Sequence, residues 1–223
     1  MRAFRRERGM FVAELDADER AAVAAVVADV AQLLGAGRLE DRGGVDGDDD
    51  DASHALPSTE SLAGLSLRID DIRAPDDAAV RRLLPDASRN EPRVSAEFRR
   101  LTEDDLRHVK TARLTALWDA LTTGPADGWP RGALVVHPDA GADLAATITD
   151  LRLVLADRLG LDDDEASEAL YAELESEPPD DDRDAQPDPA LEVRRYLGSI
   201  YAALSWLQES LLDVLLAELD RPR

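Results

Sequence analysis

The stretch that decides the fold is PALEVRRYLGSIYAALSWLQESLLDVLLAEL, residues 189–219. Large apolar residues recur along it at alternating spacings of four and three: Val193, Leu197, Ile200, Leu204, Leu207, Leu211 and Val214. This spacing is typical of a helix that packs along another helix. Trp206 and the leucines at 212, 215, 216 and 219 widen the apolar stripe beyond one face. The pattern predicts a long helix that is central to the core or shared with a partner; we favour the core, and a homodimer or partner surface stays the alternative.

The composition extends this helical prediction to the whole chain. The sequence has 223 residues, of which 44% are hydrophobic and only 4% aromatic. Leucine, alanine and valine dominate the apolar set, which suits helices better than sheets. We therefore predict one domain over residues 1–223, mainly α, built as a helical bundle with a small N-terminal β-hairpin and one extra short strand.

Turn and cap residues place the other elements. A hairpin is predicted over residues 3–15, with its turn at Arg8-Gly9, and a strand over residues 133–136 that joins it. Asp16 and Glu19 form the pattern of a capping box at the start of the first long helix. Further helices are predicted at residues 17–34, 76–84, 92–101, 102–123, 138–159 and 162–174, with a bend where Thr102 and Asp105 resemble a new helix start.

Two acidic segments interrupt these elements. Residues 38–59 are rich in Gly, Asp and Ser, and residues 175–189 are acidic and contain proline. Such segments bury too little apolar surface to offset the entropy lost on ordering. We predict that both are disordered insertions.

The sequence shows no pattern of catalytic or metal-binding residues. It has no cysteine, and its three histidines, His54, His108 and His137, lack the spacing of metal ligands. It also has no glycine-rich phosphate loop and no nucleophile motif. We therefore expect a protein that is not an enzyme and that uses no cofactor and no metal.

The charge is strongly negative but unevenly distributed. The formal net charge is -22, which disfavours general binding to nucleic-acid phosphates. Basic residues nevertheless outnumber acidic ones nine to six between Arg81 and Arg113, and four to one over residues 2–8. These basic residues either hold phosphates or pair with the chain's own carboxylates, and we favour the second interpretation. Arg152, within an apolar helix, is likewise predicted to pair with a nearby carboxylate.

The candidate interaction surface combines these arginines with polar and aromatic residues of the last helix. It consists of Arg2, Arg5, Arg6, Arg81, Arg82, Arg99, Arg100, Arg107, Trp206, Gln208 and Glu209. The N-terminus lacks the apolar run of a signal peptide, and the uncharged stretch at residues 196–208 is too short to span a bilayer. We expect a cytoplasmic protein without a membrane partner.

Four segments resemble one known family. They are MRAFRR (1–6), RRLLPDASRNEPRVSAEFRRLTEDDLRHVK (81–110), DLRLVLADRLGL (150–161) and YAALSWLQESLL (201–212). The resemblance is to an actinobacterial family first described as domain of unknown function family 2017, whose members are also called oxidative stress transcriptional regulator AosR. It extends over nearly the whole chain, apart from the two acidic segments.

The resemblance implies a cytoplasmic regulator that acts through a protein partner, RNA polymerase or a sigma factor, with or without contact to DNA. Three alternatives remain open: a DNA-binding regulator that uses the arginine patches, an adaptor in proteolysis, and an uncharacterised enzyme. Because a thiol sensor needs cysteine and this chain has none, intrinsic thiol sensing is excluded.

Overall fold

The structure is a computed structural model that describes residues 1–44, 75–88, 90–176 and 188–219. Within them, a three-stranded antiparallel sheet lies beside six α-helices, so the predicted mainly helical fold is confirmed. The elements in chain order are β1 Arg2–Glu7, β2 Met10–Glu14, α1 Ala17–Leu33, α2 Ala78–Leu83, α3 Pro92–Thr122, β3 Ala133–Val136, α4 Gly141–Leu159, α5 Asp164–Glu175 and α6 Pro189–Leu219. Short 3-10 helices occupy Leu39–Gly44 and Pro138–Ala140.

The sheet forms where the turn chemistry predicts it. Arg8 and Gly9 both have positive φ, at 50° and 82°, as a tight two-residue hairpin turn requires. β2 is the central strand, pairing with β1 on one side and with β3 on the other, and Phe11 lies opposite Val136. The predicted hairpin and the third strand that joins it are both confirmed.

The helix ends follow their capping residues. At the start of α1, the Asp16 carboxylate accepts from the Glu19 backbone N–H, and the Asp16 N–H donates to the Glu19 side chain, each at 2.8 Å. This confirms the predicted capping box. At the end of α4, Gly160 adopts the left-handed conformation with φ of 70°, which terminates the helix as predicted.

The bend predicted at Thr102 is wrong, because α3 is one helix of 31 residues. Thr102 does not cap a new helix; its hydroxyl donates to the Phe98 carbonyl at 2.9 Å, as is common for threonine inside a helix. Across the same point, the Glu103 carboxylate pairs with Arg99 at 3.0 Å and with Arg107 at 2.7 Å. These i,i+4 pairs support a continuous helix.

The seam of α6 lies in the core over its middle part. Ile200, Leu204, Leu207 and Leu211 are buried where α6 packs on α4 and β1, whereas Val193 is 57% exposed. By length and hydropathy alone α6 could also cross a membrane, with a mean hydropathy of 1.3 over its most apolar window. The core helix of a soluble protein passes the same test, but only 33% of this window is buried. The seam therefore accounts for part of its apolar character, and exposed residues such as Leu212 and Leu216 account for the rest.

The two acidic segments predicted to be disordered are described only at their edges. Residues 39–44 form a 3-10 helix, and Leu39 is buried in the core. Residues 45–59 of the first segment and residues 177–187 of the second lie outside the described residues.

Gly132 lies where two segments approach too closely for a side chain. A Cβ there would be 2.6 Å from the Leu15 carbonyl oxygen, and the Leu15 N–H donates to Gly132 O at 2.8 Å. Because the obstacle is backbone, we expect Gly132→Ala to lower the free energy of unfolding by about 2 kcal/mol, measured by urea denaturation. Gly37→Ala is the control, since a Cβ there has nothing within 4 Å. An equal loss in both variants would contradict the close approach.

Candidate protein-interaction surface

The N-terminal arginines of the predicted surface face carboxylates of the same molecule. Arg2 and Arg5 on β1 both pair with Glu14 on β2, at 2.9 Å and 2.7 Å. The hydrogen bond from Arg5 lowers the pKa of Glu14, and the same bond raises the pKa of Arg5. Arg6 pairs with Glu218 near the end of α6, which ties the hairpin to that helix.

Most arginines of the second basic region are paired as well. Arg82 on α2 contacts Asp157 at 3.3 Å and Asp162 at 2.7 Å, which joins α2 to α4 and the loop after it. Arg107 pairs with Glu103 and also donates to the Leu34 carbonyl at 3.0 Å, at the end of α1. Its guanidinium therefore serves as a bridge between α3 and α1.

In the same region, Arg99 and Arg100 on α3 are also paired, whereas Arg81 on α2 is not paired with any described residue. Arg99 is only 8% exposed and pairs with Asp86 as well as with Glu103, so it is not part of the surface. Arg100 pairs with Glu97 at 2.6 Å. Arg81 is exposed and has no ion pair with another described residue. The geometry thus favours the structural interpretation of these arginines over phosphate binding.

The three α6 residues of the predicted surface do not form one patch. Trp206 is 43% exposed and Glu209 is exposed, but Gln208 is 9% exposed. The Gln208 amide donates to Ala145 O at 3.1 Å and to Thr149 Oγ1 at 2.6 Å, both on α4. Gln208 thus supplies a polar contact between α4 and α6 inside the molecule and is unavailable to a partner.

Arg152 does not form the predicted ion pair. Among the described residues no carboxylate lies within salt-bridge distance of its guanidinium, which instead donates to Gln208 Oε1 at 2.7 Å and lies over the Tyr201 ring at 5.3 Å. The prediction is wrong because α6 supplies an amide and an aromatic face at this point. A cation over a tyrosine ring is favourable, and more so where water is partly excluded.

A buried cation that the sequence did not indicate holds the end of α3. Arg20 on α1 is 9% exposed and donates to the carbonyls of Ala120 and Leu121, at 2.7 Å and 2.6 Å, and to Ala133 O at 3.2 Å. The two helical carbonyls belong to the last turn of α3, where a positive charge is favourable. Burial lowers the pKa of Arg20. This arginine is structural, because its donors are satisfied by backbone oxygens.

The most unusual surface of the described chain is the outer face of α3. Val94, Phe98, Leu101 and Val109 are 47%, 48%, 62% and 43% exposed. Their spacing of four, three and eight residues places them on one side of the helix. On its inner side the same part of α3 presents Ser95 and Arg99, which are buried. Most of the large apolar side chains in the first half of α3 therefore face away from the core, whereas Leu106 is partly buried against it. We call Val94, Phe98, Leu101 and Val109 the α3 stripe.

The α3 stripe continues into a groove between α3, β3 and α4. Ala112 and Ala116 follow Val109 on the same face and line one wall of the groove, whose volume is about 420 Å³. Its lining includes Leu117, Leu134 and Leu144, which are buried. At its edge Arg113 pairs with Asp143 at 2.7 Å. The stripe and the groove together form an apolar track along one side of the protein.

A second exposed apolar patch lies at the end of α6. Leu212, Leu216 and Leu219 are 44%, 60% and 80% exposed, and they line a wider groove together with Phe11 and Pro138. The Arg6–Glu218 ion pair borders it. These leucines are among the residues that extend the apolar stripe of the last helix beyond one face in the sequence.

The described residues offer no cluster for a metal ion. No group of three or more His, Asp or Glu side chains in the described part of the chain is arranged to hold one. His108 and His137 are exposed, and His54 lies outside the described residues.

The fold and surfaces described above are those of a mainly helical protein with a small antiparallel sheet and apolar tracks on its exterior. The chain belongs to the family described as Domain of unknown function (DUF2017), whose model matches residues 1–215. Neither the curated proteins nor the solved structures contain a match to the chain.

Proposed function

We propose that this chain is a regulatory protein that binds another protein through the outer face of α3. The observation that carries the proposal is the orientation of the α3 stripe. In an ordinary surface helix the large apolar side chains face the core, and contiguous exposed apolar surface marks an interaction site. Here Phe98 and Leu101 face outward while a serine and an arginine occupy the inner side.

The finer proposal is that the partner belongs to the transcription machinery, either RNA polymerase or a sigma factor, in the cytoplasm. Its support is the similarity to the AosR regulators, carried by segments that include most of α3. The internal pairing of Arg2, Arg5, Arg82 and Arg100 favours a protein partner over DNA, since few cations remain for phosphates. The chain has no cysteine and hence no thiol of its own to sense oxidants, so either the partner carries such a response or this member regulates without sensing.

The absence of cysteine also allows a direct test. A single introduced cysteine can carry a photo-crosslinker without background labelling, and exposed alanines are available both on the proposed face and away from it. Ala112→Cys places the probe beside the α3 stripe, and Ala172→Cys on α5 is the matched control. With purified actinobacterial RNA polymerase and its sigma factors, we expect crosslinking from position 112 but not from position 172.

The same experiment is repeated with Phe98→Ser/Leu101→Ser in the Ala112→Cys chain. Loss of an interface anchor commonly costs more than 1 kcal/mol, so crosslinking at limiting concentration should fall about fivefold or more. Crosslinking that is equal from both positions, or that survives the serine changes, would reject the α3 face. Retardation of promoter DNA at physiological salt, lost on Arg100→Ala, would instead support the DNA-binding alternative.

A further inference from the structure

We infer that the segment that docks on α3 is an amphipathic helix of the partner, with basic residues flanking its apolar side. This inference rests on the proposed function and specifies the chemistry of the partner at the same site. It follows from the length of the apolar track, from the change in side-chain size along it, and from the unpaired charges beside it.

The shape of the track fits a helix. From Val94 to Ala116 it extends about 33 Å, at 1.5 Å per residue, which a partner helix of about 20 residues would cover. Over the first half, the α3 stripe presents large side chains. Over the second half, Ala112 and Ala116 are small, and the surface opens into the groove above Leu117 and Leu144. Large apolar residues of the partner would therefore be accommodated at the groove end, as in helix-in-groove recognition.

The charges beside the track are mainly negative. Asp104, Asp105 and Asp119 are exposed on or next to the same face and have no ion pair with any described residue. The nearby cations are already used, since Arg100 pairs with Glu97 and Arg113 with Asp143. Arg93, at the first turn of α3, is the exception. Lysine or arginine on the partner would complement these carboxylates and would also be attracted by the net charge of -22.

The same charges argue against a second copy of this chain as the occupant. An α3 from another copy would bring a further set of the same aspartates to the contact, and two chains of charge -22 repel each other. Like charges placed opposite each other at an interface are unfavourable.

Synthetic peptides test the inference on the full-length chain. Three fluorescent 20-residue peptides are compared by anisotropy at physiological salt: an amphipathic Leu/Lys helix, a Leu/Glu helix with the same apolar pattern, and a scrambled Leu/Lys sequence without an apolar face. We expect the amphipathic Leu/Lys peptide to bind about tenfold more tightly than the other two, which corresponds to about 1.4 kcal/mol. Binding should weaken about tenfold with Phe98→Ser/Leu101→Ser, as for interface anchors.

Charge-matched variants separate specific pairing from general attraction. Asp104→Asn/Asp105→Asn should weaken binding of the amphipathic Leu/Lys peptide about threefold or more and reduce its salt dependence. Glu165→Gln/Glu168→Gln removes the same charge from exposed positions on α5 and should have a smaller effect. Equal effects of the two pairs of changes would overturn the inference, because attraction would then reflect net charge alone.

Other results would overturn the inference while leaving the proposed function standing. If the Leu/Glu peptide binds as tightly as the Leu/Lys peptide and still depends on Phe98 and Leu101, the docking face is correct but the partner's charge is wrong. By contrast, a dimer in sedimentation that Phe98→Ser/Leu101→Ser dissociates would make a second copy the occupant, which overturns the inference and also counts against the proposed function. The crosslinking from position 112 to the transcription machinery is measured independently and decides the proposed function itself.

Discussion

Replacing Asp150 with alanine is expected to lower the free energy of unfolding by about 3 to 5 kcal/mol. Asp150 on α4 accepts from Lys110 Nζ on α3 at 2.6 Å, and the two side chains are only 7% and 13% exposed. Removing the carboxylate leaves the single lysine of the chain buried without its counter-ion. The cost arises from that uncompensated charge rather than from the lost attraction alone.

Urea denaturation of the single and double variants measures this effect. Lys110→Met/Asp150→Leu replaces the pair by apolar side chains of similar size, and it should be much closer to the wild type than Asp150→Ala is, because no charge is left unpaired. If the double variant loses as much stability as the single one, the pair contributes through packing, and the charge argument is wrong.

Much of the fold could be predicted because its signals are local. The hairpin turn depends on two adjacent residues, Arg8 and Gly9, and the first helix on a capping box of four residues. The last helix was predicted with the limits found in the structure, Pro189–Leu219, since its seven-residue apolar seam is uninterrupted. Each of these features needs only a few neighbouring residues, so it can be read without knowledge of the tertiary structure.

The error at α3 has a specific physical cause. Thr102 and Asp105 match the sequence pattern of a helix start, but nothing before them breaks the preceding helix, and Glu103 can pair with Arg99 and Arg107 in a continuous one. A division of α3 at Thr102 leaves the rotation of its two halves about the helix axis undefined, so the sequence prediction does not align their outer faces. In the continuous helix, Val109 lies in line with Phe98 and is 43% exposed.

The partners of the arginines could not be predicted because they are distant in sequence. Arg82 pairs with Asp157, Arg6 with Glu218, and Arg152 with Gln208, so each contact depends on how helices and strands pack. Composition indicated that internal pairing was favourable in so acidic a chain, but it could not select the partners. The structure therefore favours an apolar track over an arginine patch as the candidate surface. In the sequence, the helical spacing of Val94, Phe98 and Leu101 indicates this track.

Leu114→Ala and Leu101→Ala, two identical substitutions in one helix, are expected to differ strongly in their effect on stability. Leu114 is 0% exposed within the core and Leu101 is 62% exposed. We expect Leu114→Ala to lower the free energy of unfolding by about 2 to 5 kcal/mol, through lost burial and the cavity left behind. Leu101→Ala should change it by no more than about 0.5 kcal/mol, as for other exposed positions.

The comparison isolates burial, because both changes alter helix propensity by the same amount and both positions lie within α3. Chemical denaturation of the full-length variants gives both values. A loss of more than about 1.5 kcal/mol for Leu101→Ala would show that this side chain is packed within the folded chain. The α3 stripe would then be part of the molecule's own core, and a partner would have to bind elsewhere. A small loss leaves Leu101 with no structural role in the free protein and keeps it available as an anchor for the partner helix.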